Sequence, residues 1–153
     1  MKRIASFEIN HDLLKPGMYT SRIDGDVVTY DIRMCLPNAG VYLDNDEMHT
    51  FEHLFATFAR NSELADGVVY VGPMGCRTGF YFLVRDSVTP EQAIDLTKRA
   101  CAFIADYEGD IPGATPKECG NAAEHSLPKA KALGARMAAV MEGWSVDQLV
   151  YEK

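Results

Sequence analysis

The residues best suited to chemistry form one short run, His49-Thr50-Phe51-Glu52-His53, within a stretch whose apolar residues recur at helical spacing. Residues four apart on an α-helix lie about 40° apart around its axis, so His49 and His53 share one face. Glu52 lies about 60° from His49 on the other side, so the three side chains span an arc of about 100°. Both imidazoles can therefore reach one metal ion, with the carboxylate beside it as a base. The pattern is the H-x-x-E-H motif of inverted zinc peptidases.

A catalytic metal site typically has three protein ligands and one open position, so a third donor is expected from elsewhere in the chain. Cys119 is the strongest candidate, because it precedes Gly120 in a turn-rich segment and glycine permits close approach of the backbone. A thiolate ligand would favour Zn²⁺ or Fe²⁺ over Mg²⁺ or Ca²⁺. His11 and His125 compete with Cys119 for this position, and two unrelated surface histidines on a helix are the alternative to a metal site.

A second unusual stretch is the glycine-rich loop 72–79, which holds Cys76 between two predicted strands. Such a loop fixes the position of a thiol, and the charge of neighbouring Arg77 would favour the thiolate if the side chain pointed that way. A catalytic cysteine also needs a proton partner, which Glu52 or metal-bound groups could supply. The alternative is a tight hairpin with a packed thiol. Cys101 and Cys35 are predicted to be core residues.

The elements that must position these groups are predicted from periodicity and from capping and turn residues. Val27–Cys35 alternates as a half-buried strand, and residues 68–71 and 80–85 are two further strands. Helices are predicted from an N-cap within Asp44–Asp46 to about Arg60, from the Thr89 capping box to about Tyr107, and over Pro128–Glu142. This order favours an α+β fold, an antiparallel sheet with helices packed on one face.

Composition indicates one globular domain over residues 1–153, with 47% hydrophobic and 24% charged residues. The net charge of −7 and the absence of basic runs argue against nucleic acid and anionic membranes as partners. No apolar run approaches the ~20 residues of a membrane span, and the N-terminus does not read as a signal peptide. The expected compartment is the cytoplasm, with the four cysteines as free thiols.

Several motifs together carry a resemblance to a known family. The runs His49–Leu54, Gly75–Gly79 and Glu118–Gly120 occur in this order, and Ser6–His11 and Asp31–Cys35 match as well. The chain thereby resembles the S-ribosylhomocysteine lyases of the LuxS family over nearly its whole length. The resemblance implies cleavage of S-ribosylhomocysteine to L-homocysteine and 4,5-dihydroxy-2,3-pentanedione, the precursor of the quorum-sensing signal autoinducer-2. The same reaction recycles a product of methyl transfer.

The resemblance also implies a role for individual residues. His49, His53 and Cys119 become ligands of Fe²⁺, with Zn²⁺ or Co²⁺ as substitutes, one ion per subunit. Glu52 and Cys76 become general acid–base residues. The residues that would hold substrate are Ser6, His11 and Arg33. The family is homodimeric, with two sites at the subunit interface.

These residue types suit the implied reaction. Moving a sugar carbonyl from C1 to C2 and then to C3 passes through enediolates, whose charge a divalent metal stabilises as a Lewis acid. Each shift removes a proton from one carbon and delivers one to its neighbour, work that Glu52 and Cys76 can divide. With the carbonyl at C3, loss of the C4 proton expels the C5 thioether as homocysteine thiolate. The reaction contains no net redox step and implies no organic cofactor.

The sequence departs from the typical family pattern just before the Pro-Met-Gly-Cys run. Tyr70 stands where typical members have an acidic residue, and Gly72 stands where they have a serine. The metal and acid–base set is unchanged by these departures. An effect of these two departures is expected in the contacts that hold the ribose.

Two other functions compete with the lyase. The first is a metallopeptidase-like hydrolase of the H-x-x-E-H type, which shares the helix motif but has no need of Cys76. The second is a non-catalytic metal-binding domain, whose ligand shell His11, His125 or another thiol would close.

Overall fold

The computed structural model describes residues 1–153 and contains a four-stranded antiparallel sheet with strand order β1-β2-β4-β3. The strands are β1 (Gly17–Asp24), β2 (Val27–Arg33), β3 (Val68–Pro73) and β4 (Gly79–Arg85). The helices are α1 (Asn45–Arg60), α2 (Pro90–Ala105) and α3 (Leu127–Val140). None of these helices is long and apolar enough to cross a membrane.

The inner face of the sheet packs against the helices. Phe51 and Phe55 of α1 lie on Phe80 and Phe82 of β4, with both pairs of ring centroids 5.1 Å apart. Side chains of α2 and α3 join the same core cluster of 28 buried residues. The predicted α+β class, with helices on one face of an antiparallel sheet, is confirmed. The other face of the sheet, called the outer face below, carries polar residues such as Asp31 and Arg33, which are themselves buried.

The predicted elements differ from the observed ones mainly at their ends. Strand β2 ends at Arg33, because the next two amides instead donate to the carbonyl of Thr78, at 2.8 and 3.0 Å. The predicted capping box of α2 is confirmed: the Gln92 amide donates to the Thr89 hydroxyl at 3.2 Å, and the Thr89 amide donates to the Gln92 side chain at 2.9 Å. Helix α3 begins one residue before its predicted start, after the N-cap Ser126.

Strand β1 is the element that the sequence pattern did not predict. It pairs along one side with β2 and lies at the edge of the sheet. Its register shifts between Thr20 and Arg22, and such a bulge breaks the alternation of period two by which a half-buried strand is recognised. The second half of β1 is also largely exposed and polar, so it lacks the buried apolar residues by which a strand is recognised in sequence.

Cys101 and Cys35 are buried in the core, as predicted. Burial in apolar surroundings disfavours a thiolate, and it raises the pKa of Cys101 to about 12. The pKa of Cys35 is also raised, chiefly by burial. Both thiols are therefore kept protonated by the fold.

A consequence is expected for the stability of the protein at alkaline pH. An unfolded cysteine ionises near pH 8.5, whereas folded Cys101 holds its proton to about pH 12. Between these values the unfolded state binds fewer protons, so Cys101 lowers the free energy of unfolding by up to about 1.4 kcal/mol per pH unit. We expect Cys101→Ala to be less stable at pH 7 yet to decline less steeply above pH 9 in urea unfolding. Equal slopes for Cys101→Ala and the wild type would contradict the prediction.

Candidate active site

Helix α1 carries the H-x-x-E-H motif and is fixed in place from both sides. Its buried residues Phe51, Leu54 and Phe55 anchor it to the sheet. Its first turn is tied to α3, because the Lys129 ammonium lies 3.2 Å from a carboxylate oxygen of Asp44 and 3.0 Å from one of Asp46. The face with the two histidines and the half-buried Glu52 is thereby turned away from the core.

The predicted pairing of His49 and His53 on one helix face is confirmed, with ring centroids 4.7 Å apart. The Nδ1 atom of each ring lies 2.8 Å from a backbone carbonyl, that of Glu124 for His49 and that of Pro112 for His53. A carbonyl only accepts hydrogen bonds, so Nδ1 carries the proton in both rings and Nε2 presents its lone pair. This is the arrangement that orients histidine ligands of a metal.

Cys119 and His125 join these histidines in one cluster. The Cys119 sulfur lies 3.3 Å from His49 Nε2 and 3.8 Å from His125 Nε2. One potential ligand atom from each of the four residues falls within 4.8 Å of every other. The structure therefore brings together the predicted His49, His53 and Cys119, along with His125, which the sequence offered as a competing third ligand.

The donor set of this cluster fits a metal ion. Imidazole nitrogen and thiolate sulfur are ligands that Zn²⁺ and Fe²⁺ accept, and two of the rings have the tautomer that ligation requires. His11, another candidate for the third position, is not a member and lies elsewhere. The pKa of His125 is lowered, first because burial disfavours its cation and then because His49 and His53 add like charge.

Cys76 lies in a separate cavity of about 360 Å³ at the outer face of the sheet. The three predicted substrate-binding residues all line it: Ser6, His11 and Arg33. The thiol is exposed, and its sulfur lies 3.0 Å from the Thr78 hydroxyl. The family resemblance grouped these residues, which are far apart in the chain, and the fold gathers them around one thiol.

The positive charge beside Cys76 comes from Arg33, because Arg77 does not point toward the thiol. Arg77 has a left-handed backbone, with φ of 59°, and its guanidinium instead donates to the carbonyl of Leu43 at 3.3 Å. Nη1 of Arg33 lies 3.9 Å from the Cys76 sulfur and donates to the Thr78 hydroxyl at 2.7 Å. Arg77, although next to Cys76 in sequence, thus points away from it. Arg33, at the end of strand β2, makes the contact instead.

Arg33 is held by two residues that the sequence analysis did not single out. Its guanidinium makes a two-pronged pair with the fully buried Asp31, at 2.7 and 3.1 Å, and the Tyr151 hydroxyl donates to the same carboxylate at 2.7 Å. Burial opposes the charge on Arg33, but the Asp31 carboxylate outweighs it and raises the pKa of Arg33. The Asp31/Arg33 spacing of two along a strand could have signalled this pair. Nothing local in the sequence connects Tyr151 to it.

The two departures from the family pattern, Tyr70 and Gly72, are in contact. A Cβ atom on Gly72 would lie 2.4 to 2.7 Å from the far end of the Tyr70 ring, closer than real contacts allow. The ring is about half exposed and borders a cavity of about 290 Å³. That cavity shares Ser6, Pro73 and Tyr81 with the cavity around Cys76. The absence of a side chain at position 72 therefore permits the phenol to lie beside the Cys76 site.

Within one chain, the Cys76 cavity and the donor cluster are two separate groups. None of the four residues of the donor cluster lines the cavity around Cys76. Leu43, two residues before α1, links them: its amide donates to the carbonyl of Arg77 at 2.9 Å, and its carbonyl accepts from the Arg77 guanidinium.

Comparisons with known proteins give one consistent match. A family model described as S-Ribosylhomocysteinase (LuxS) matches residues 4–147. An S-ribosylhomocysteine lyase of Clostridium acetobutylicum is 46% identical, with 99% of each chain covered. The enzyme of that name from Clostridium beijerinckii is 50% identical over 87% of each chain. Another from Phocaeicola vulgatus is 45% identical, covering 99% of this chain and 98% of its own.

Proposed function

Since this chain belongs to the S-ribosylhomocysteinase (LuxS) family, we propose that it cleaves S-ribosylhomocysteine to L-homocysteine and 4,5-dihydroxy-2,3-pentanedione. It is a carbon–sulfur lyase that acts on a small molecule. The observation that carries this proposal is the family match over residues 4–147, nearly the whole of the chain. The metallopeptidase and the non-catalytic metal-binding domain are not favoured by these comparisons.

His49, His53 and Cys119 are the residues that would hold the metal, Fe²⁺ with Zn²⁺ or Co²⁺ as substitutes, one per subunit. Their support is the short distance between their donor atoms and the protonated Nδ1 atoms of the two histidines. When bound, a divalent ion supplies a Lewis acid that stabilises negative charge on the sugar oxygens.

Glu52 and Cys76 move the protons of the reaction. Each carbonyl shift takes a proton from a sugar carbon and returns one to the adjacent carbon, which a carboxylate and a thiol on different sides of the sugar can divide. Arg33 and the Thr78 hydroxyl face the Cys76 sulfur and would stabilise its charge while the proton is away. Removal of the C4 proton then expels the C5 thioether, and the departing thiolate takes up a proton to become homocysteine.

Ser6, His11 and Arg33 hold the substrate against Cys76, since all three line its cavity. The whole chain, residues 1–153, works as one catalytic domain. We expect it to act in the cytoplasm, where a reducing environment keeps Cys76 and Cys119 as thiols. The dione would feed synthesis of autoinducer-2, and the homocysteine would return to the methyl cycle.

The active enzyme is a homodimer with its sites at the subunit interface. In one chain the acid–base thiol and the metal donors occupy separate places, so a second copy would supply the missing half of each site. Apolar side chains also remain exposed near the Cys76 cavity, including Phe7 and Tyr70.

Mixing two inactive variants tests this arrangement. We expect Glu52→Gln and Cys76→Ala each to be inactive alone, and to regain about a quarter of wild-type activity after subunit exchange in equal amounts. Random pairing makes half of the dimers mixed, and one of the two sites in each mixed dimer is intact. Thiol release before and after exchange is the measurement, with each variant mixed with itself as the control. If all groups of a site came from one chain, mixing would restore nothing.

Tyr70 is proposed to contact the ribose, and its effect should appear in KM. We expect Tyr70→Phe to raise KM about 2- to 10-fold with a smaller change in kcat, the loss of one hydrogen bond. Gly72→Ala should have a similar effect, because its Cβ would displace the exposed ring. The control is Gly72→Ala in a Tyr70→Ala background, where it should not raise KM further. Additive effects of Gly72→Ala and Tyr70→Ala on KM would contradict the contact.

The activity itself is tested by release of free thiol. We expect the iron- or cobalt-loaded protein to release homocysteine from S-ribosylhomocysteine, measured with a thiol reagent. The matched control is the same preparation without substrate, since Cys76 is exposed and also reacts with the reagent. If the folded, metal-loaded protein gave no thiol above this control, the lyase assignment would be wrong.

A further inference from the structure

His125 is the member of the donor cluster for which the mechanism above has no use. Its imidazole stacks on that of His49, with centroids 3.8 Å apart and planes inclined by 22°. The lone pair by which an imidazole binds a metal lies in the plane of its ring. Two nearly parallel, stacked rings direct these lone pairs alongside each other. In this arrangement one ion cannot be bound by both rings, so His125 is not a fourth ligand beside His49.

The Nδ1 atom of His125 is held by Thr50, a fully buried residue on α1. The two atoms Nδ1 and Oγ1 lie 2.9 Å apart, and the same Oγ1 accepts the amide hydrogen of Ser126 at 2.9 Å. While it accepts from Ser126, the Thr50 hydroxyl can also donate its own hydrogen to Nδ1. Once Nδ1 accepts it, the ring must carry its own hydrogen on Nε2.

The Nε2 atom faces the Cys119 sulfur at 3.8 Å, within the range of an N–H···S hydrogen bond. We propose that His125 is a positioning residue of the metal site, whose Nε2–H donates to the Cys119 sulfur while Thr50 and Ser126 fix its ring. The proposal rests on the ligand role of Cys119 in the function proposed above. A hydrogen bond to a thiolate withdraws electron density from the sulfur, and so increases the Lewis acidity of the ion that it binds.

Cobalt-substituted variants test this role independently of turnover. The energy of the sulfur-to-cobalt charge-transfer band reports the electron density on the thiolate. We expect His125→Phe, which keeps a flat ring against His49 but has no donor, to shift this band to longer wavelength. Chelator competition should show about 10-fold weaker cobalt binding, because the Cys119 side chain loses a partner that orients it toward the ion. His125→Gln keeps an N–H at similar reach and should restore the wild-type band.

Changes at Thr50 test the same contact without altering His125. Thr50→Val should shift the band in the same direction as His125→Phe, whereas Thr50→Ser, which keeps the hydroxyl, should not. Thermal melting of each cobalt-loaded variant checks that it is folded. The proposal is overturned if the band stays in place in both His125→Phe and Thr50→Val. It is also overturned if His125→Phe alters the d–d bands to those of a site that has lost a ligand. Complete absence of the charge-transfer band in the wild type would instead refute Cys119 as a ligand, and with it the proposed metal site.

Discussion

Replacing Glu52 with glutamine is expected to lower kcat for thiol release by about 10²- to 10⁴-fold, the range attributed to a general acid–base group. Glutamine has nearly the same shape and still forms hydrogen bonds, but it cannot accept a proton from a sugar carbon. Metal content should remain at the wild-type level, because the proposed ligands are His49, His53 and Cys119. Steady-state kinetics and metal analysis of the same preparation give both values.

The matched control is Glu63→Gln, which makes the same chemical change on the surface, where Glu63 pairs with Arg99. Its kcat should be that of the wild type. Loss of the metal from Glu52→Gln would identify Glu52 as a ligand rather than a base. An unchanged kcat would remove it from the reaction.

The second large effect is expected from Cys119→Ala, which removes one of three proposed ligands. Loss of a residue that only orients a ligand weakens metal binding about 10- to 100-fold, so loss of the ligand itself should exceed that range. We expect the variant to be isolated nearly free of metal and nearly inactive, while its folded structure persists because Cys119 lies outside the core.

Cys101→Ala provides the comparison, since it also deletes a thiol but one that is buried in the core. It should keep the metal and the activity. If Cys119→Ala retained both, the thiolate would not be a ligand, and a hydrolase that uses only the helix motif would account for the site better.

The donor cluster was largely predictable from sequence, because its geometry is mostly local. Spacing of four along one helix places His49 beside His53 whatever the rest of the fold does. Cys119 had to come from a distant segment, and the sequence could only rank it against His11 and His125. The structure brings Cys119 and His125 into the cluster and leaves His11 elsewhere. Whether His125 can bind the same ion as His49 depends on the relative orientation of their rings, which the spacing of residues in the sequence does not encode.

The Cys76 cavity was predictable only in part, because its contacts run between strands and from the end of the chain. Arg77 was a reasonable neighbour on local grounds, but a backbone in the left-handed region turns it away. Tyr151 reaches Asp31 across 120 positions of sequence. The contact of Tyr70 with Gly72 was also not predictable from sequence. The Tyr70 ring lies where a Cβ atom of residue 72 would be, and only the structure shows this.

The identity of the five-carbon product distinguishes the lyase reaction from any other cleavage of S-ribosylhomocysteine. The metal-loaded protein would be incubated with S-ribosylhomocysteine, and the carbon product trapped with an aromatic 1,2-diamine that condenses with adjacent carbonyls. Mass spectrometry of the adduct, with thiol measured in the same sample, gives the ratio of the two products. The lyase reaction should give 4,5-dihydroxy-2,3-pentanedione and homocysteine in equal amounts. Homocysteine accompanied by an intact ribose, or no dicarbonyl product at all, would contradict it.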